Sequence, residues 1–172
     1  ITRTTTAYFE PALDYVIVKI PRWNFDKFQG ANRKLGLQMK SVGETMAIGR
    51  TFKESLQKAL RGLEVRRFGL GCDAQDRWYT PNSPTDDEIT AKLATPNSER
   101  IWYIRYAFLA GFTFEEIQKL TKIDPWFLEQ IEQLVKHEHK LREVKTLENA
   151  TAKTFLQAKQ HGFSDKQLAL LW

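Results

Sequence analysis

Cysteine, histidine and methionine are scarce in this chain of 172 residues, which holds one Cys, three His and two Met. A single thiol, Cys72, excludes an internal disulfide and agrees with a reducing compartment. His137 and His139 stand two apart, so on a helix they point away from one another, which is the wrong spacing for metal ligation. His161, beside Gly162, reads as a cation at a helix C-terminus. Long apolar runs are missing as well. The longest, such as Tyr15 to Val18, fall far short of the roughly 20 residues that a membrane-crossing helix needs. No membrane partner is therefore expected. The N-terminus, Ile1-Thr-Arg-Thr-Thr-Thr, has neither an initiator Met nor a signal-peptide pattern, so the chain is read as a piece of something longer. No catalytic triad, paired-carboxylate constellation or metal-ligand cluster emerges.

What is present is apolar bulk and unevenly divided charge. With 42% hydrophobic residues, five Trp and eleven Phe, the chain can bury a core without disulfide or metal. Residues 1–64 hold 11 Lys and Arg against 6 Asp and Glu, which accounts for the whole net charge of +5, while residues 65–172 hold 15 of each. Two units are expected, with the boundary in residues 65–84, where Gly69, Gly71, Pro81 and Pro84 interrupt every period. The basic unit suits phosphate-bearing ligands; the neutral unit has no footprint for a polyanion.

In the first unit Asp14-Tyr-Val-Ile-Val-Lys-Ile20 reads as a buried strand that Pro21 ends, which points to an α/β layer whose other strands lie upstream. Gln38 to Thr51 reads as an apolar, Gly-punctuated loop. Thr51-Phe-Lys-Glu54 is a capping box opening a helix with the stripe Phe52, Leu56, Ala59, Leu60 and Leu63, weakened in its last turn by Gly62. Beyond the boundary the pattern is helical throughout. A second box at Thr85 and Glu88 is followed by an aromatic helix from about Asn97 to Ala110, stopped by Gly111. Thr113 to Glu116 caps a short helix, and Asp124-Pro125 starts a long one with the stripe Phe127, Ile131, Leu134, Val135 and Leu141.

Gly111-Phe-Thr-Phe-Glu-Glu-Ile-Gln-Lys-Leu120 aligns with Gly162-Phe-Ser-Asp-Lys-Gln-Leu-Ala-Leu-Leu171. Two explanations stand: both are Gly stops followed by hydroxyl caps, or a helical unit is duplicated and its second copy is cut short at Trp172.

Three stretches invite functional readings. Gly43 to Thr51 superficially matches a phosphate-binding loop, but five residues rather than four separate the glycines, Arg50 replaces the lysine, and Met46, Ala47 and Ile48 ill suit a turn of exposed amides. Thr113 to Ile131 has the element lengths of a helix-turn-helix, yet two lysines face five acids between Thr113 and Val135, which would repel DNA phosphates. Trp126 and Phe127 look more like packing residues than readers of bases, so no nucleic-acid partner is expected. Glu44, between Gly43 and apolar neighbours, is the acid that invites a role beyond an ion pair.

Read together, Phe9-Glu-Pro, Asp14-Tyr-Val, Lys19-Ile-Pro-Arg22, Met39-Lys-Ser-Val-Gly-Glu44 and Met46-Ala-Ile-Gly-Arg50 resemble the large subunit of carbamoyl phosphate synthetase. The resemblance continues through Glu54 to Glu64, Arg100-Ile-Trp-Tyr103, Ile123-Asp124 and Trp126-Phe-Leu128, with departures concentrated in residues 65–98. It implies a mainly α fold: a helical bundle, the oligomerisation domain, in residues 65–172, preceded in residues 1–64 by a short α/β tail of the first ATP-grasp domain. That half makes carboxyphosphate from bicarbonate and ATP, ammonia converts it to carbamate, and a second half phosphorylates the carbamate, feeding arginine and pyrimidine biosynthesis. The resemblance further implies that ATP and Mg2+ or Mn2+, with K+ as a further candidate, are bound by the parent protein upstream of Ile1, leaving no catalytic or cofactor-binding residue in this segment. Its implied partners are the glutaminase subunit or domain, the two ATP-grasp halves, and further copies of itself; read from its own residues, the helical part is either a packing module or a self-association surface built from exposed aromatics such as Trp78, Trp102 or Trp126. The implied compartment is the cytoplasm, or a plastid.

In this family carbamate travels between distant sites through an internal passage, and the Met-Lys-Ser-Val-Gly-Glu motif contributes to its wall. The corresponding residues are Met39, Val42 and Glu44. Apolar walls exclude bulk water, and few charges avoid trapping an anion. The competing reading makes Met39 and Val42 ordinary core. A non-enzymatic helical adaptor is the alternative for the chain as a whole, favoured by residues 65–172 but ill suited to the strand before Pro21.

Overall fold

The chain lays a two-stranded ribbon against one side of a helical bundle, with the first helix packed on both. The structure, a computed structural model, describes Arg3 and residues 14–172 apart from Asp26 and Gln29. Phe9-Glu-Pro therefore lies outside the described residues. Strand β1 (Val16–Arg22) pairs antiparallel with β2 (Gly43–Gly49) in a register that sets Val18 opposite Ala47 and Ile20 opposite Thr45. Alternation along each strand then gives the ribbon two unlike faces. Val18 and Ile20 face the core, whereas Tyr15, Ile17, Met46 and Ile48 are exposed. The strand expected to be buried on both faces is thus covered on one. Of the stretch from Gln38 to Thr51 expected to be a loop, Gly43–Gly49 is strand β2, and residues 38–42 are irregular as expected.

Helix α1 (Phe52–Gly62) starts at Thr51, whose hydroxyl accepts from the Glu54 amide at 3.3 Å. Only half of the expected box forms, because the Glu54 carboxylate accepts from Arg50 N, one residue further back. The apolar stripe lies as the spacing predicts, with Leu56, Ala59, Leu60 and Leu63 buried. Gly62 has a reason beyond helix propensity: a Cβ there would lie 2.6 Å from Thr45 Cγ2. Ser55 ties the helix to the ribbon by donating to Val16 O at 2.8 Å.

Residues 64–85 contain no regular helix or strand, and Glu64, Arg66, Cys72 and Tyr79 adopt positive φ. Side chains fix this segment. Asp73 accepts from Arg67, Phe68 N and Gln75 N; Asp76 accepts from Cys72 N and Trp78 N. Then follow α2 (Asp86–Ala94), α3 (Arg100–Ala110), α4 (Phe114–Thr121), α5 (Pro125–Val144), a 3-10 turn (Leu147–Asn149), α6 (Ala152–Gln160) and α7 (Asp165–Leu171). Thr85 caps α2 but again without the reciprocal bond, since Glu88 is engaged by Arg77 and Tyr103. The aromatic helix begins at Arg100 rather than near Asn97.

Full capping boxes occur at Thr113 with Glu116 and at Ser164 with Gln167, each after a left-handed glycine, Gly111 at φ 86° and Gly162 at φ 85°. Asp124 caps α5 by accepting from Trp126 N at 2.9 Å. Its buried stripe is Leu128, Ile131, Leu134, Val135, Glu138 and Leu141. Phe127 falls outside that stripe because its ring turns to Phe52, with centroids 5.4 Å apart.

The core holds buried charges that no motif in the sequence announces: Asp73, Arg105 and Glu138. Arg105, 1% exposed, donates through Nε and Nη2 to Glu138 at 2.7 and 2.6 Å and through Nη1 to Asp76 at 3.0 Å. Burial alone would raise the Glu138 carboxyl; the Arg105 charge and hydrogen bonds outweigh it and hold the carboxyl below its ordinary value. Cys72 sits beside this cluster, its thiol pushed up by burial first and by Glu138 next, which leaves it an inert core residue.

Candidate functional site

Of the three residues singled out by the Met-Lys-Ser-Val-Gly-Glu motif, Glu44 lies on the ribbon's outer face, and Val42 and Met39 lie in the segment leading into β2. Gly43 stands opposite Arg22 and Glu44 opposite Pro21, which puts the Glu44 side chain on the outer face with Lys19, Ile17, Met46 and Ile48. Lys19 Nζ reaches Glu44 at 2.8 Å, a pair whose side chains are both about half exposed. Around it the surface is apolar: Ile17 opposes Ile48, and Met46 opposes Lys19. Val42 donates its backbone N–H to Arg22 O at 2.9 Å, which extends the pairing one residue upstream of β2.

Met39 is 88% exposed and Val42 55% exposed. Neither belongs to the core that the described residues form. Four of the five residues that share the outer face with Glu44 being apolar, and the one charge pair being internally neutralised, this face offers contact surface without a net charge. Monomeric domains seldom leave such a patch uncovered.

The same geometry disposes of the phosphate loop. Residues 43–49 are extended and paired with β1, and Arg50 N is taken by Glu54 at 2.8 Å, so no nest of converging amides exists there. Among the described residues no group of three or more His, Cys, Asp and Glu side chains is placed to hold a metal ion. No helix among them is long and apolar enough to cross a membrane.

The remaining sequence candidates separate by burial. Trp102 is buried and donates its indole N–H to Gly69 O at 3.1 Å, so it is not a surface anchor. Trp78 is half-buried, stacked on Tyr106. Trp126 is 50% exposed and forms an edge-to-face cluster with Phe52 and Phe127. His161 stands at a helix terminus, as the cap of α6, but burial, and then Lys53, pull its pKa down rather than up, and its ring packs on His137. The helix-turn-helix elements are present as α4 and α5, joined through Lys122 in a left-handed conformation at φ 58°.

Among the described residues the fold is a helical bundle fronted by a short antiparallel ribbon whose apolar outer face is exposed. Residues 44–172 match the family model described as the carbamoyl-phosphate synthetase large chain, oligomerisation domain. The chain is 56% identical over 171 residues to the carbamoyl phosphate synthase large chain of Rhodopirellula baltica, covering 99% of this chain and 16% of that one. It is 50% identical over 175 residues to that of Archaeoglobus fulgidus, again 16% of the relative, and 48% identical over 182 residues to the large chain's N-terminal section in Methanopyrus kandleri, 31% of it. The chain belongs to the carbamoyl phosphate synthetase large-chain family and contains its oligomerisation domain, and the helical-adaptor alternative gives way to this membership.

Proposed function

We propose that this segment works inside a carbamoyl phosphate synthetase large chain, an ATP-dependent ligase joining bicarbonate and ammonia or glutamine nitrogen, as scaffold and as part of the carbamate passage. In this reading residues 1–64 end the first ATP-grasp half and residues 65–172 form the oligomerisation domain between the two halves. ATP and Mg2+ are held by other parts of the parent protein, and no catalytic step is assigned to this segment. The isolated segment is inactive. The glutaminase subunit or domain is a partner of the parent, and its compartment is the cytoplasm or a plastid.

The observation that carries the reading is the exposure of Met39 and Val42 beside an apolar sheet face whose only charges, Lys19 and Glu44, neutralise each other. Such a wall excludes water without capturing a small anion. Met39→Trp in the complete enzyme tests it: carbamoyl phosphate formed per ATP consumed falls, because carbamate is lost between the halves. An unchanged ratio overturns the assignment. Calorimetry of this chain with MgATP gives no heat, and saturable binding would place a nucleotide site within it.

Self-association is proposed through the Trp126 and Phe127 patch, since aromatic anchors are what interfaces concentrate. Sedimentation across a dilution series checks it, a monomer at every concentration counting against self-association by this segment.

A further inference from the structure

We propose that His137 and His161 form a proton-sensitive joint fastening the α6–α7 turn to α1 and α5, closed while both imidazoles are neutral and loosened when either takes up a proton. Their rings meet edge to face with centroids 4.4 Å apart at 74°. His137 Nε2 and His161 Nδ1 are both buried without a hydrogen-bond partner. A neutral imidazole tolerates one unmatched nitrogen; an imidazolium needs both N–H groups satisfied.

Three elements converge on this contact. His137 lies on α5, one turn beyond Gln133, whose Oε1 accepts from Lys53 Nζ of α1 at 2.6 Å. His161 caps α6, and the next residue, Gly162, is pressed against α1: a Cβ there would lie 2.8 Å from Gln57 Cβ and 2.9 Å from Glu54 Cα. Arg61 Nη1 of α1 donates to Gly162 O at 2.6 Å. The turn thus has little room to adjust while it remains docked.

The charged groups acting on the pair are Lys53 from α1 and Lys140 from α5, both cationic, and on the α6–α7 side the facing group is the other histidine. Phe163 closes the site with its ring 5.8 Å from His137. A proton arriving here has no acceptor and two repelling neighbours, so the economical response is separation of the rings until the new N–H reaches water. The same two lysines, and the lack of a third ligand among the described residues, argue against a metal as the pair's natural occupant. Burial first, then His161, Lys140 and Lys53, bring the His137 pKa to about 4 from 6.5. The sign follows: the neutral joint is fully favoured above pH 6.5 and its advantage is lost as pH falls from there toward 4.

Hydrogen exchange of the whole chain, corrected for intrinsic rates, tests the joint. Between pH 7 and pH 5 the protection of α6–α7 amides such as Phe163 N, which bonds to Ala158 O, should fall roughly 20-fold, the ratio that linkage gives for such a pKa difference. The α3 core should not follow. Trp172, whose indole N–H donates to Leu141 O at 2.8 Å, should change fluorescence in the same interval as α7 leaves α5. In the double variant His137→Leu, His161→Leu the selective loss disappears. Equal loss in that variant, or uniform loss across the chain, overturns the proposal. Should the double variant fail to fold, NMR titration of the unaltered chain decides: two suppressed, mutually coupled imidazole titrations support the joint, and two independent titrations near pH 6.5 sink it.

Discussion

Arg105 on α3 and Glu138 on α5 meet inside the core through two parallel hydrogen bonds of 2.7 and 2.6 Å, and Asp76 from the irregular segment closes on the same guanidinium at 2.9 Å. One cation thus links two helices to the stretch between residues 64 and 85, where regular backbone bonding is absent. Gly71 belongs to the arrangement, since a Cβ there would sit 2.3 Å from Arg105 Cζ.

Removing one side of that contact leaves a buried charge unmatched. Arg105→Met should cost about 3–5 kcal/mol in urea denaturation, while Glu138→Gln, which keeps hydrogen-bonding capacity with Asp76 still present, should cost less. A loss under about 1 kcal/mol for Arg105→Met would mean that the carboxylates reach water on their own.

Gly111 and Gly162 have nearly the same φ but unlike surroundings, which makes them a controlled pair. Gly111→Ala meets open space and should lose only the left-handed penalty, on the order of 1 kcal/mol. Gly162→Ala carries that penalty and a clash with the α1 backbone, so a loss of roughly 2–4 kcal/mol is expected. Equal losses in thermal melts would show that α1 yields to the turn.

Glu88 gives the chain a second pH signature. Hydrogen bonds from Arg77 and then Tyr103 hold its carboxyl at about 2, against 4.5 when free. Its contribution is therefore complete above pH 4.5 and is lost as pH falls toward 2. In Glu88→Gln the slope of stability against pH should flatten within that window and remain unchanged above it, as urea midpoints at successive pH values would record. Both partners are partly exposed, so salt should weaken the effect.

Glu44→Gln should leave folding stability within about 1 kcal/mol, because the Lys19 contact is a half-exposed surface pair. A larger loss in denaturant would give Glu44 a structural role that its surroundings do not suggest.

Helix starts were legible because capping chemistry is local: Thr51, Thr85, Thr113, Asp124 and Ser164 all accept amide hydrogen bonds from the first turn. Strand β2 was not, since glycine bounds it at both ends and only Thr45 and Ile48 favour extended backbone by themselves; its state comes from pairing with β1, a contact more than twenty residues away in sequence. Phe127 was misassigned because helical spacing permits either it or Leu128 on the stripe, and the choice is made by Phe52 in another helix. Arg105 carried a faint signal, a lone cation amid Trp102, Tyr103, Ile104 and Tyr106. Its partners, Asp76 and Glu138, are distant in sequence and nothing local announces them. The residues of the candidate site were nameable from motif resemblance, whereas their exposure depended on which face of the ribbon α1 covers.

Helix α1 behaves as a strut. Thr45 against Gly62 and Ser55 against Val16 fasten it to the ribbon; Arg61 to Gly162 and Gln57 to Leu70 N fasten it to the bundle. Close-packed contacts of this kind transmit displacement rather than absorbing it. A push on the sheet's outer face would be felt at the far turn of the bundle as rigid-body movement, so the ribbon and the turn between α6 and α7 are mechanically one piece.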